Sequence, residues 1–232
     1  MGKNKLKRFA ENDTFPNLFQ PPLDEVLGNK FELKGKWHGD YFKNANPLVL
    51  ELGCGKGEYT VNLASMYPQK NFIGIDIKGA RMWRGAKTAL ETNLNNVAFV
   101  RTRIEHIRSI FDQNEVDELW ITFPDPQERE IKAKKRLTSS RFLNLYSTFL
   151  KPNALVHLKT DNQQLFDYTK ALVEQNGLEI LTCTANLYAD FKDDPTLSIK
   201  TFYEQQFLSQ GLPITYIRFV LNHPGPYHEP TR

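Results

Sequence analysis

A glycine-rich loop with acidic neighbours is the first part of this sequence whose residue types could bind a small molecule. Residues 51–58 read Glu-Leu-Gly-Cys-Gly-Lys-Gly-Glu, and Gly53, Gly55 and Gly57 let the backbone turn tightly and approach a ligand closely. Glu58 stands where the dinucleotide-binding fingerprint has its third glycine, and carboxylates at both ends of the loop would repel a pyrophosphate. The loop therefore favours a ligand with a cationic group and no phosphate.

An acidic residue ends the next apolar run, at the position of a ribose-binding carboxylate. Asp76 stands 23 residues after Gly53, and an acidic side chain there can accept hydrogen bonds from both hydroxyls of a ribose. Glu51, before the glycines, suits a cationic part of the same ligand. S-adenosylmethionine, a nucleoside with an ammonium and a sulfonium group, fits both features. The alternative is that Asp76 only caps the following helix and that the glycines form an ordinary turn.

The residues after the third apolar run are less decisive. Arg103, Ile104 and Glu105 stand where the adenine edge of such a ligand is usually held. The sequence does not choose among these three.

A carboxylate between two prolines follows the fourth apolar run. In Phe123-Pro124-Asp125-Pro126 the prolines stiffen the turn and fix the direction of the aspartate. Residues 127–141 follow directly and include six basic and two acidic residues. Because Lys and Arg contacts to phosphates give sequence-independent affinity for nucleic acid, this segment beside a nucleoside pocket predicts an RNA-modifying site. The alternatives are a turn-forming aspartate and a solvated charged loop.

Short apolar runs alternate with amphipathic stretches from residue 47 onward, and these elements must position the site. The predicted strands cover residues 48–52, 72–77, 97–100, 116–123, 154–158, 178–187 and 214–221. The predicted helices cover residues 58–66, 79–94, 104–111, 139–150, 162–175 and 202–209, with Asp161 as N-cap and Gly177 as C-terminal cap of the fifth. The pattern predicts an α/β fold, a doubly wound three-layer sandwich with a seven-stranded, mostly parallel sheet. Its ligand site is expected at the carboxyl ends of the strands.

The composition excludes several classes of protein. The 232 residues are 40% hydrophobic and 25% charged, which is typical of a folded domain, and a net charge of +3 is too small for a wholly cationic nucleic-acid binder. No apolar run approaches the roughly 20 residues of a membrane helix, so neither a membrane span nor a signal peptide is predicted. The two cysteines and five histidines have no disulfide or metal-ligand spacing. We therefore predict a cytoplasmic protein with no metal.

The first 45 residues differ from the rest of the chain. They are polar and rich in Lys, Asn, Pro and Gly, with scattered aromatic residues. We predict a basic, extended and mobile N-terminal arm over residues 1–45 and a single domain over residues 46–232.

Four motifs, in this order along the chain, resemble those of bacterial tRNA (guanine-N7-)-methyltransferases. They are the glycine loop 51–57, the Phe123–Pro126 turn with its basic follower, Thr160-Asp161, and Thr201-Phe202-Tyr203-Glu204. The resemblance extends from about residue 47 to residue 221. It implies a Rossmann-like class I methyltransferase, with S-adenosylmethionine as methyl donor and N7 of guanine 46 in the tRNA variable loop as acceptor. Gln127 departs from the pattern, since many members carry Trp there, and so does Arg103, where many carry Asp or Asn.

The resemblance also assigns roles to individual residues. Asp125 is implied as the active-site residue, which would accept hydrogen bonds from guanine N1–H and the exocyclic amine and would stabilise positive charge on the purine. The cofactor-binding set is Glu51, Gly53, Gly55, Gly57, Asp76, Arg103 and Asp125. The substrate-binding set is Arg129, Asp161, Thr201, Phe202, Tyr203 and Glu204, and the expected contacts to the RNA backbone are Lys132, Lys134, Lys135 and Arg136.

Two other functions fit the same residues. One is a methyltransferase that acts on a small molecule with S-adenosylmethionine, although the basic segment argues against a small neutral acceptor. The other is a non-catalytic RNA-binding protein built on a methyltransferase scaffold. Glu58 disfavours a dehydrogenase. The sequence does not choose between a monomer and a homodimer.

Overall fold

The apolar runs of the first half form strands that are buried along nearly their whole length. The computed structural model describes residues 2–231. Every residue of β2 (Leu48–Leu52) is buried, as are the first five of β3 (Asn71–Asp76) and the first four of β4 (Val97–Arg101). Burial of consecutive side chains is typical of parallel strands that are covered on both faces.

The chain forms two compact units, Met1–Glu115 and Val116–Arg232. Before β2 the first unit contains α1 (Gly2–Asn12), β1 (Leu18–Phe19), α2 (Leu23–Leu27) and a π-helical segment (Trp37–Phe42). After β2 it contains α3 (Glu58–Met66), α4 (Gly79–Glu91) and a 3-10 helix (Ile104–Ser109), alternating with β3 and β4. Its strands are all parallel, in the order β1-β4-β3-β2. Their carboxyl ends therefore meet at one edge, which brings the segments after β2, β3 and β4 together.

The prediction of an extended arm over the first 45 residues is wrong. α1 packs on α4, where the Glu11 carboxylate accepts hydrogen bonds from Lys87 Nζ and Trp83 Nε1, both at 2.8 Å. The fully buried Trp37 is surrounded by aromatic rings, including Phe19 at a centroid distance of 5.5 Å. These contacts join residues far apart in sequence, so no local period announces them. The predicted boundary between residues 45 and 46 stays a prediction.

The second unit combines parallel and antiparallel strands. Its elements are β5 (Val116–Thr122), a 3-10 helix (Glu130–Lys135), α5 (Ser140–Tyr146), β6 (Leu150–Thr160), α6 (Gln163–Gln175), β7 (Glu179–Thr184), α7 (Leu187–Asp190), α8 (Phe202–Ser209) and β8 (Thr215–Leu221). β5 pairs with β6 in parallel, β6 with β8 and β8 with β7 antiparallel.

The structure corrects two details of the predicted elements. The residues described contain eight strands where seven were predicted, because Leu18–Phe19 adds a short strand beside β4. Asn162, not Asp161, is the N-cap of α6, since its side chain accepts a hydrogen bond from Leu165 N at 2.9 Å. Gly177 has a φ of +63° just after the helix, as expected of a C-terminal cap. None of the helices between residues 2 and 231 has the length and hydrophobicity needed to cross a bilayer.

Candidate functional site

Glu51 is held inside the first unit by the helix that follows the glycine loop. The side chain is only 3% exposed, and its Oε2 accepts hydrogen bonds from Thr60 N at 2.9 Å and from the Thr60 hydroxyl. Thr60 lies in the first turn of α3, where backbone N–H groups have no partner within the helix. The carboxylate therefore fixes the start of α3 relative to β2 and adds negative charge beside the loop.

The three glycines of the loop serve two different purposes. All have a positive φ, between 56° and 73°. A Cβ added at Gly57 would lie 2.5 Å from the Phe99 ring, so this glycine permits close packing of the loop on β4. A Cβ added at Gly53 would meet nothing within 4 Å among the described residues. Gly53 thus leaves open space above the backbone, as a loop that cradles a ligand requires.

Asp76 connects the glycine loop to the end of β3. Its Oδ2 accepts a hydrogen bond from Gly55 N at 2.9 Å, and its Oδ1 accepts one from Lys78 N at 2.8 Å. The side chain is partly exposed, and each carboxylate oxygen has a second lone pair that can accept a hydroxyl. Asp76 therefore has the position and the acceptor capacity expected of a ribose-binding residue, although it also organises the turn before α4.

The electrostatics of the loop suit a cationic ligand. Burial raises the pKa of the Cys54 thiol, and the carboxylates of Glu51 and Asp76 raise it further because they disfavour a thiolate. Together with the open space above Gly53, the carboxylates of Glu51 and Asp76 fit S-adenosylmethionine. Its ammonium and sulfonium groups would meet negative potential, and its ribose would meet the carboxylate of Asp76.

The segment after β4 lies beside Asp76, because Thr102 N donates to Asp76 O at 3.1 Å. Arg103 in this segment is exposed, and its Nη2 lies 3.8 Å from Glu105 Oε1 in a loose ion pair. Ile104 is half-buried. The three adenine candidates therefore lie at the correct edge of the first unit, and the contacts still do not distinguish them.

In the second unit, Asp125 is the exposed residue of a turn bounded by two residues in the left-handed region. Phe123 has a φ of +47° and Gln127 a φ of +48°, conformations that cost side-chain-bearing residues energy. Asp125 Oδ1 accepts a hydrogen bond from Gln127 N at 3.1 Å. Phe123 N donates to Lys159 O at 2.8 Å, and the Phe123 ring stacks on Phe207 of α8. The contacts of Phe123 therefore anchor the start of the turn, while the Asp125 carboxylate stays exposed to solvent.

The basic segment after this turn divides into exposed and buried cations. Arg129 and the three lysines expected to contact RNA, Lys132, Lys134 and Lys135, are all exposed. Arg136 is only 2% exposed, which disagrees with its expected place among the contacts to the RNA backbone. Its guanidinium is turned inward, where it contacts the protein backbone instead of solvent.

Asp161 is half-buried between the end of β6 and the start of α6. Burial raises the pKa of its carboxyl. Since Asn162 caps α6, the Asp161 side chain is not needed for that purpose, which leaves its expected substrate contact as a proposal.

The motif at residues 201–204 forms the start of α8. Thr201 and Glu204 form a capping box, in which Glu204 N donates to Thr201 Oγ1 and Thr201 N donates to Glu204 Oε2, both at 3.3 Å. Phe202 is 45% exposed, whereas Tyr203 has its backbone in α8 and its side chain outside the described part of the structure.

The Glu204 carboxylate is completely buried, which does not match its expected contact with substrate. It forms an ion pair with the buried Lys159 Nζ at 2.8 Å and accepts a hydrogen bond from the Tyr188 hydroxyl. Lys159 Nζ also donates to Leu197 O at 2.9 Å and Ile199 O at 3.0 Å. Burial lowers the pKa of Lys159, and the nearby Glu204 opposes that change. Lys159 therefore holds the start of α8 and the segment before it, residues 197–199, against the end of β6.

Comparisons with known proteins decide the family. The family model described as "Putative methyltransferase" matches residues 45–217. A Bacteroides fragilis protein named tRNA (guanine-N(7)-)-methyltransferase is 52% identical over 230 residues, which cover 99% of this chain and 90% of that protein. A Christiangramia forsetii protein of the same name is 56% identical over 218 residues, which cover 94% and 97%. The chain belongs to the tRNA (guanine-N7-)-methyltransferase family.

The fold agrees with that membership. The crystal structure of the 16S rRNA methyltransferase KamB matches with a TM-score of 0.59 at 14% identity, over 75% of this chain and 87% of KamB. At this identity the likeness shows the fold alone. The predicted α/β, mostly parallel, Rossmann-like methyltransferase fold is confirmed, and so is the prediction that the chain is a methyltransferase.

Sequence reasoning missed several residues that hold these tRNA methyltransferase motifs in place. Gly85 of α4 approaches the glycine loop so closely that an added Cβ would lie 2.7 Å from Lys56 O and 3.0 Å from Gly57 Cα. This glycine of α4 therefore allows the close packing of helix and loop that the third glycine of a dinucleotide-binding loop would allow and that Glu58 does not. Thr60 gave no signal. Lys159 gave none either, because a lysine after an apolar run has the same letter whether it is exposed or buried.

Proposed function

We propose that this chain transfers the methyl group of S-adenosylmethionine to N7 of guanine 46 in the tRNA variable loop and so forms 7-methylguanosine. The observation that carries the proposal is the 52% identity to a tRNA (guanine-N(7)-)-methyltransferase over 99% of the chain. The open acidic glycine loop and the exposed Asp125 turn support it, because both features are intact in this chain.

Glu51, Asp76 and the glycines are the residues we propose for the cofactor. The glycine backbone would lie against the ligand, Asp76 would accept hydrogen bonds from the ribose hydroxyls, and the negative potential of Glu51 would favour the cationic end. When bound, S-adenosylmethionine supplies an electrophilic methyl group. Arg103 stays a proposed contact to the adenine.

Asp125 is the proposed active-site residue, and the chemistry explains why a carboxylate suffices. Guanine N7 has an in-plane lone pair and no proton, so the enzyme needs no base to deprotonate it. The exposed carboxylate of Asp125 can accept hydrogen bonds from guanine N1–H and the exocyclic amine, which adenine cannot supply in that arrangement. It would hold the purine in line for attack and would stabilise the positive charge that develops on it.

The other substrate residues act in two ways in this proposal. Arg129 and Phe202, which are exposed, and Asp161, which is half-buried, are proposed to contact the tRNA nucleotide directly. Tyr203 is proposed to do so as well. Thr201 and Glu204 are proposed to act by fixing the first turn of α8, because the Glu204 carboxylate is buried in its ion pair with Lys159.

The tRNA backbone is proposed to lie along the exposed lysines of the basic segment, Lys132, Lys134 and Lys135. α1 adds exposed cations at Lys5, Lys7 and Arg8. Lysine and arginine contacts to phosphates release counterions, so binding is expected to weaken steeply with salt. We propose a cytoplasmic enzyme that needs no metal and is active as a monomer or a homodimer.

The decisive test is nucleoside analysis of unmodified tRNA incubated with the enzyme and a labelled methyl donor. A transcript with guanine at position 46 is expected to yield labelled 7-methylguanosine, and a matched transcript with adenine at that position is expected to yield none. Label in any other nucleoside, or undiminished labelling of the matched transcript, would refute the proposal.

A further inference from the structure

The C-terminal segment, residues 223–231, is fastened to α5 and α6 by paired hydrogen bonds. Tyr227 N donates to Asn144 Oδ1 and Tyr227 O accepts from Asn144 Nδ2, both at 2.9 Å. His228 N donates to Asn176 Oδ1 at 2.7 Å, and His228 O accepts from Asn176 Nδ2 at 2.8 Å. In both Tyr227 and His228 the backbone N–H and the backbone C=O are therefore hydrogen-bonded to one asparagine side chain. These bonds give the segment a defined position on the second unit.

Glu229 of this segment is half-buried and bonds to side chains of α5 and α6. Its Oε1 accepts hydrogen bonds from Ser140 N at 3.1 Å and Ser140 Oγ at 2.7 Å, at the start of α5. Its Oε2 accepts a hydrogen bond of 2.5 Å from the Tyr168 hydroxyl. Burial raises the pKa of Tyr168 and the bond to Glu229 raises it further, so the phenol stays protonated and remains the donor.

Tyr168 connects the segment to the buried arginine of the basic segment. The Arg136 guanidinium lies over the Tyr168 ring at 4.3 Å from its centroid, which is a cation–π contact. From there Arg136 Nε donates to Pro126 O at 3.3 Å and Nη2 to Glu128 O at 3.5 Å. Gln164 of α6 also donates to Glu128 O, at 3.0 Å. Pro126 is the residue that follows Asp125.

We propose that Glu229, Tyr168 and Arg136 are positioning residues that connect the C-terminal segment to the Asp125 turn and hold its carboxylate in the reactive direction. The expected effect of these residues on catalysis rests on the proposed function. Their support of the Asp125 turn does not depend on that function. Because Phe123 and Gln127 at the two ends of the turn have unfavourable backbone conformations, the turn needs such support from outside. Arg136 then acts by orientation and not by binding phosphate.

The test uses Tyr168→Phe, which keeps the ring over Arg136 and removes only the hydroxyl that bonds Glu229. Tyr227→Phe is the matched control, because it removes a tyrosine hydroxyl of the same segment that bonds only the local His223 O among its described partners. We expect Tyr168→Phe to lower kcat on tRNA about 5- to 20-fold with KM for tRNA and Kd for S-adenosylmethionine within about twofold, and Tyr227→Phe to leave kcat unchanged. Equal kcat values for the two variants would overturn the proposal.

A second readout separates this proposal from the proposed function. Amide hydrogen exchange of the free protein should become faster at residues 126–136 in Tyr168→Phe and not in Tyr227→Phe, whatever the enzyme methylates. Unchanged exchange at residues 126–136 would overturn the connection itself. A failure of the wild-type protein to methylate tRNA would instead count against the proposed function.

Arg136→Gln distinguishes orientation from phosphate binding. If Arg136 orients the turn, kcat falls while the dependence of tRNA affinity on salt keeps its slope. If Arg136 binds phosphate, the slope of log K against log salt falls by about 0.7–0.9 and kcat at saturating tRNA is preserved, which would overturn the proposal for this residue.

Discussion

The glycine loop of the first unit and the Asp125 turn of the second both present carboxylates, yet they are held in different ways. Asp76 and the buried Glu51 accept hydrogen bonds from backbone N–H groups within 25 residues in the chain, such as Gly55 N and Thr60 N at 2.9 Å. Asp125 is exposed, and its turn is held by contacts from segments more than 25 residues away in the chain, since Phe123 N donates to Lys159 O and the Phe123 ring stacks on Phe207. The first region is local in construction and the second is assembled over long range.

The difference follows from what each region is proposed to bind. A small cofactor meets a loop between two parallel strands, where backbone groups and glycines supply the shape. A guanine within a large RNA would need a carboxylate that stays accessible, and Asp125 is exposed. The rigidity of the Asp125 turn then comes from the contacts of its flanking residues, such as Phe123 with Phe207 and Pro126 with Arg136.

The largest effect we expect is on stability, from Lys159→Met. The variant leaves the fully buried Glu204 carboxylate without its cation, which costs about 3–5 kcal/mol of unfolding free energy. Denaturant unfolding monitored by circular dichroism measures the loss. The double variant with Glu204→Gln should recover part of it, because no unpaired charge then remains. A loss below 1 kcal/mol would show that the second region does not depend on this pair.

Asp125→Ala tests whether the two regions divide their tasks. We expect kcat to fall about 100- to 1,000-fold, because the variant removes the charge proposed to orient and stabilise the purine. The Kd for S-adenosylmethionine, measured by calorimetry, should change by less than about threefold. Asp76→Ala should raise that Kd about 10-fold or more, since hydrogen bonds to a charged group are lost. Similar Kd changes in the two variants would remove the distinction between the regions.

Lysine substitutions measure how far the second region contacts RNA. Lys134→Ala and Lys135→Ala should each weaken tRNA binding severalfold at low salt and reduce the slope of log K against log salt by about 0.7–0.9. Lys70→Ala, at a half-buried site in the first unit, is the control and should leave the slope unchanged. An equal slope for all three variants would mean that the basic segment does not bind phosphate.

The smallest effect concerns the pH dependence of Asp161→Asn. Burial raises the pKa of the Asp161 carboxyl in the folded protein, so ionisation of this carboxyl opposes folding. The protein therefore loses stability as the pH rises through the pKa that Asp161 has in the folded state. The Asn variant should therefore have a Tm about 1–3 °C higher at pH 7 while its tRNA methylation falls. The Tm difference should shrink toward pH 4, and a constant difference across this range would argue against the burial explanation.

Local patterns predicted most of the strands and helices from residue 47 onward. The predicted bounds of β2, α3 and α8 agree with the structure, since continuous apolar runs and helical spacing depend on neighbouring residues alone. The extended conformation predicted for residues 1–45 was wrong for the complementary reason. α1 is polar, and its place is set by contacts such as Glu11 with Lys87, which no local period encodes.

The candidate site could also be predicted only in part. Residue type and order identified Glu51, Asp76 and Asp125 as candidates, because carboxylates at strand ends are visible in a linear pattern. The fate of Arg136 and Glu204 was not visible. A charged residue in a basic run or in a helix has the same letter whether it faces solvent or an ion pair. The partners that bury these two are distant in the chain, Tyr168 for Arg136 and Lys159 for Glu204.

The sequence by itself therefore determined the fold class, the family and the chemical types present in the two regions, because these depend on short-range pattern and composition. The tertiary structure alone decided which charged groups face outward and which hold the scaffold. Exposure decides this, since an ionised group can meet a substrate only from the surface and must find a partner when it is buried.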